Sequence, residues 1–121
     1  MFELTRATTG AWSLTTLYSF SEQFNSPETA YSGVVINATG DLFGTVYGGA
    51  ANGLLGNVYE LTPPSGSGTW TESILHNFTG GSDGEGPVGG LLLYRGALVG
   101  TTSDCSQTLV IGCGSTDTSL R

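Results

Sequence analysis

The chain says most of what it says twice. Residues 58–78, VYELTPPSGSGTWTESILHNF, restate the opening MFELTRATTGAWSLTTLYSF: Glu3-Leu4-Thr5 returns as Glu60-Leu61-Thr62, Gly10 and Trp12 as Gly68 and Trp70, Leu17 and Phe20 as Leu75 and Phe78. Further along, Leu42, Gly44 and Thr45 return as Leu98, Gly100 and Thr101, so the period is about 57 residues throughout. A repeat of this kind constrains a fold more than any motif, because each unit is one supersecondary piece that buries its apolar face only against a neighbour.

Each copy contains four runs rich in Val, Ile, Thr, Tyr, Phe and Trp: residues 2–5, 12–20, 32–36 and 41–47 in the first, 58–62, 70–78, 89–93 and 97–102 in the second. These residue types fit a pleated, half-buried surface, and Gly, Pro, Ser and Asn punctuate the runs. No stretch places apolar residues at helical spacing for three turns. NATGD (37–41) reads as a tight hairpin turn, with Gly40 supplying a positive φ just before a strand, and YRGA (94–97) as the same turn shortened by one residue. The expected fold is therefore all-β, with antiparallel four-stranded repeats forming two β-propeller-like blades of a partial propeller, and a two-sheet β-sandwich as the alternative. Residues 1–104 would form two tandem repeats (about 2–57 and 58–104), and 105–121 a divergent tail without order. Gly44 and Gly100, fixed inside strands, mark close packing.

Composition narrows the function. A 121-residue chain of 12.4 kDa holds one core at most. Ten acidic residues against three basic ones give a net charge of −7, a field that repels polyanions, so nucleic acid is not an expected partner. No run approaches the roughly 20 apolar residues of a membrane helix, so this chain is not expected to insert into a membrane, and MFELTRATTG lacks the pattern of a signal peptide. Cys105 and Cys113 could close a local disulfide or remain thiols.

Taken together, GDLFGTVYGG (40–49), GNVYELTP (56–63), WTESILHNF (70–78) and GGSDGEGPVGGLLL (80–93) resemble the bacterial tandem repeats called GloVer. Two imperfect units cover residues 2 to about 102. The resemblance implies an extracellular or cell-surface repeat protein with no established catalytic activity, and a propeller-like fold fits it. The chain opens at a strand equivalent to Val58-Tyr59, and its tail departs from the repeat after GCGST (112–116), which reads as a truncated or frame-shifted fragment of a longer repeat protein.

Candidate sites are few. Asp83 and Glu85, on the turn GGSDGEGP (80–87), could offer two carboxylates to a hard cation, but such a site needs six to eight oxygens and the turn reads first as solvated. The matching segment of the first copy keeps Glu22, Asn25 and Glu28 without that spacing. His76 is the only histidine and stands at the position of Tyr18, so it reads as a strand aromatic rather than a catalytic base. Trp12, Trp70, Tyr18 and His76 could form a sugar-stacking platform for glycans, although an aromatic repeated in each unit more often fills the space between units. No nucleotide loop, nucleophile elbow or zinc pattern is present and no cofactor is implied. The expectation is a non-catalytic structural or interaction module, with a carbohydrate-binding or carbohydrate-active domain as alternative. Its partners would be further repeats or other copies of itself, meeting through blade faces left open.

Overall fold

The computed structural model describes residues 1–20, 30–48 and 55–103, together with the backbone of 117–120. Nine strands and no helix make up the described residues: β1 (Phe2–Arg6), β2 (Trp12–Thr16), β3 (Val35–Ile36), β4 (Leu42–Val46), β5 (Asn57–Thr62), β6 (Thr71–Asn77), β7 (Leu92–Tyr94), β8 (Ala97–Thr101) and β9 (Asp117–Leu120). All pairings are antiparallel. The all-β class and all eight strand-like runs of the repeats are present. The ninth strand lies in the tail expected to be without order: residues 117–120, poor in apolar side chains, pair with β8.

The strands are not grouped as the repeats are. They form a two-stranded sheet β1-β2, a four-stranded sheet β3-β4-β5-β6 and a three-stranded sheet β7-β8-β9. The four-stranded sheet takes its first two strands from one copy of the repeat and its last two from the other, so one repeat is not one sheet. Among the described residues the strands group neither as two four-stranded sheets, one per repeat, nor as a two-layer sandwich of the repeats. Within the central sheet β4 reaches β5 through residues 47–56, and the chain leaves one sheet for the next along 17–34 and 78–91. The short links keep strands adjacent, but length alone does not decide the grouping, since residues 102–116 join β8 to β9 within one sheet.

The central sheet is covered on both sides, which is why every residue of β4 is buried. Leu42, Val46, Tyr59 and Leu61 form one cluster, against which Met1, Leu17, Tyr18, Phe20 and Trp70 pack. Phe43, Val58, Phe78 and Leu98 form the other, joined by Val35, Leu55, Leu91 and Leu93. The end of the first hairpin thus covers one face and β7-β8 the other. Tyr18, Phe20 and Tyr59 are linked edge to face, with centroids 5.2 and 4.9 Å apart.

Local chemistry sets the turns. Asn37 Oδ1 accepts from the amides of Thr39 (3.0 Å) and Asp41 (2.9 Å), and Asn37 Nδ2 donates to Asp41 Oδ2 (2.8 Å), so NATGD closes on itself before Gly40 (φ 92°) enters β4. Between the paired residues Tyr94 and Ala97 only Arg95 and Gly96 remain, both with positive φ (50° and 79°), as a two-residue hairpin of matching twist demands. Gly44 packs closely, as expected, but against its own sheet: Tyr59, its cross-strand partner, lays its ring across the glycine.

Candidate functional site

Asp83 sits in the turn after β6 and is fully engaged there. Its Oδ1 accepts from the Thr79 hydroxyl at 2.6 Å, and its Oδ2 from the Thr79 amide at 3.1 Å and faces His76 Nε2 at 3.1 Å. The backbone closes the same turn through Gly80 N to Gly84 O and Gly84 N to Gly81 O. Partial burial pushes the Asp83 carboxyl up, but the hydrogen bonds from Thr79 and His76 favour the charged form and hold it below the usual range. Asp83 therefore caps a turn. Glu85 is only partly buried nearby, and among the described residues no three His, Cys, Asp or Glu side chains gather as metal ligands would. Glu22, Asn25, Glu28, Cys105 and Cys113 lie outside the described residues.

The four aromatic candidates do not meet. Tyr18 and Trp70 both pack on the Tyr59 cluster. His76 is opposite Val58, whose cluster lies on the other face of the sheet, and its ring meets Phe78 edge to face at 5.0 Å. The register shift at Val58/Tyr59 produces this split: Tyr59 faces Ile74 while Val58 faces His76, leaving Leu75 as the extra residue. Trp12 stands on β2, 63% exposed, with the Arg6 guanidinium 5.8 Å from its ring centroid. The two repeated tryptophans thus have different surroundings, one half-buried and one in solvent.

One residue that the sequence reading did not single out joins this region. Glu72 faces Leu61 across β5-β6, its Oε2 accepts from the Tyr18 hydroxyl at 2.8 Å, and its Oε1 is buried without a partner among the described atoms. The signal was available, since Glu72 occupies the repeat position of Leu14, and a carboxylate in an apolar position calls for an explanation. Burial first and the Glu72 charge second push the Tyr59 phenol up to about 12. Chemically the arrangement holds one carboxylate and two phenols on one face, while Asp83 is committed to its turn, with its partner His76 on the other.

Three shifted groups give the stability a pH dependence at each end. Asp83 and Asp41 are held low, Asp41 by Thr39 and Asn37, so what they contribute is complete above the unfolded value of about 3.9 and is lost as pH falls through their lower folded values. Tyr59 is held high, so its contribution is complete below about pH 10 and is lost as pH rises through about 12. Urea midpoints should decrease outside these limits, and loss of β-sheet circular dichroism at high pH should coincide with the step of tyrosinate absorbance near pH 12. Tyrosinate forming fully while the sheet persists would contradict the placement of Tyr59.

Comparison with protein families, with curated proteins and with solved structures finds no match to this chain in any of the three.

Proposed function

We propose that the chain is a non-catalytic structural or interaction module of an exported, GloVer-like repeat protein, built for stacking sheet on sheet as the blades of a propeller do. The observation that carries this reading is the contrast between equivalent positions. Tyr59 and Leu61 are 1% and 0% exposed under a covering layer, while Phe2 and Leu4, their repeat equivalents, are 63% and 51% exposed. Surfaces of this kind on a repeat are stacking surfaces awaiting a neighbour. The extracellular placement follows the sequence resemblance, and the acidic balance of the chain accords with a partner other than nucleic acid.

A carbohydrate-binding reading keeps one specific observation in its favour, the solvent-facing Trp12 beside Arg6. Glycan-array binding run beside a hydrolysis assay on the same glycans separates the readings. The stacking module should release no reducing sugar and show no glycan binding that Trp12→Ala abolishes. Hydrolysis of any of these glycans by the purified chain would replace this proposal with an enzyme.

A further inference from the structure

The two ends of this structure are the two halves of its middle. β7-β8 repeats the sequence of β3-β4, and β1-β2 repeats that of β5-β6, yet only in the centre are the halves joined, by the pairing of β4 with β5. Among the described residues β1 has no strand on its second edge. We propose that two copies of this chain associate head to tail by pairing β8 of one with β1 of the next, so that β7-β8 and the second copy's β1-β2 complete a four-stranded sheet of the same construction as the central one. The proposal rests on the reading of the chain as a stacking module and names its partner.

The central sheet supplies the register. Leu42 faces Leu61, Phe43 faces Glu60 and Gly44 faces Tyr59. Carried over by the repeat, Leu98 faces Leu4 of the second copy, Val99 faces Glu3 and Gly100 faces Phe2. The pairing sets an aromatic ring over a strand glycine, the contact that organises the centre, with Phe2 taking the place over Gly100 from which Leu91 Cδ2 turns aside. It also uses the apolar side of the first hairpin. Residues directly opposite share a face, so Phe2, Leu4 and Leu14 lie on one side with Trp12, and all four are more than half exposed. Leu98 is already turned into the cluster between β8 and the central sheet. A strand added beside β8 in this register brings Leu4 and Phe2 onto that same side.

The edge of β8 is held meanwhile by β9, in the same register: Leu98 faces Leu120, Val99 faces Ser119 and Gly100 faces Thr118. In the sequence of β9 a leucine stands at the place of Leu61, but threonine stands where the repeat has Tyr59 or Phe2. β9 is thus an internal placeholder with the weaker residue set, and exchange for β1 of another copy gives the edge an aromatic and brings a fourth strand, β2, with it. Such an interface is heterologous, so it closes into a ring or runs on as a filament. Each copy contributes its own central sheet and one shared sheet, and a closed ring therefore contains an even number of sheets.

The test uses two single-cysteine chains, Glu3→Cys and Val99→Cys, each also carrying Cys105→Ser and Cys113→Ser, mixed and treated with a short thiol-to-thiol cross-linker. The heterodimer of Glu3→Cys with Val99→Cys should form at least about tenfold faster than the product of Val99→Cys with Thr8→Cys, which lies at the hairpin tip. In parallel, light scattering after size exclusion should show concentration-dependent association of the unaltered chain. Phe2→Thr should shift it to about tenfold higher concentration, a change of about 1.4 kcal/mol, with circular dichroism retained, and removal of residues 117–121 should shift it lower. Association without the cross-link between these two positions overturns the pairing and leaves the stacking module standing. A monomer with cooperative unfolding at every concentration overturns both.

Discussion

Tyr59→Ala should destabilise the chain by about 3–5 kcal/mol, whereas Phe2→Ala, the same change at the repeat-equivalent position, should stay within about 0.5 kcal/mol. Tyr59 is 1% exposed, sits edge to face with Phe20 and lies over Gly44, so its removal leaves a cavity between two layers that the backbone pairing of β4 and β5 prevents from closing. Phe2 is 63% exposed and has no layer above it. Domains of this size are stable by roughly 5–15 kcal/mol, so the first substitution takes much of the total. Urea unfolding followed by circular dichroism measures both, in dilute protein so that association does not mask the monomer. Equal effects at the two positions would mean that Phe2 is covered as Tyr59 is.

That contrast also shows what could be read from the sequence and what could not. The eight repeat strands were legible because each is a short β-rich run between turn residues, and the turns at Asn37–Asp41 and Arg95-Gly96 follow from local hydrogen bonding and positive φ alone. The grouping of strands into sheets was not, because a period of about 57 residues looks the same wherever the unit is taken to start. Connection length carries only part of the missing phase: residues 17–34 and 78–91 lead from one sheet to the next and 47–56 joins strands within one, yet the comparably long 102–116 also joins strands within one. Burial of the repeated aromatics was equally hidden, since Trp12 and Trp70 share a repeat position and differ only in what lies above them. Asp83 looked like half of a cation site because spacing shows a carboxylate and not its donors; Thr79 and His76 take up both of its oxygens. The strand at Asp117–Leu120 carries too few apolar residues to announce itself and exists through its pairing with β8.

Gly44→Ala should cost about 3 kcal/mol, at the upper end of what overpacking a filled core costs, although alanine is otherwise as acceptable as glycine in a strand. A methyl group on Gly44 would lie 2.6 Å from Tyr59 Cζ and closer still to the hydroxyl, and the ring is fully buried and packed edge to face with Phe20. The cost therefore belongs to the pair. In a Tyr59→Ala background the same substitution should cost no more than about 0.5 kcal/mol, giving a coupling of roughly 2–3 kcal/mol in a double-mutant cycle. Gly100 provides the comparison within the same molecule, since a methyl there meets Leu91 Cδ2 at 2.8 Å, the far end of a flexible and partly exposed side chain that can turn aside. Gly100→Ala should accordingly cost about 1 kcal/mol, at the low end of the overpacking range. Additive effects of Gly44→Ala and Tyr59→Ala in urea unfolding would show that the glycine is needed for its backbone rather than for the ring across it, and would remove the reason for expecting Phe2 to seek Gly100 in a second copy.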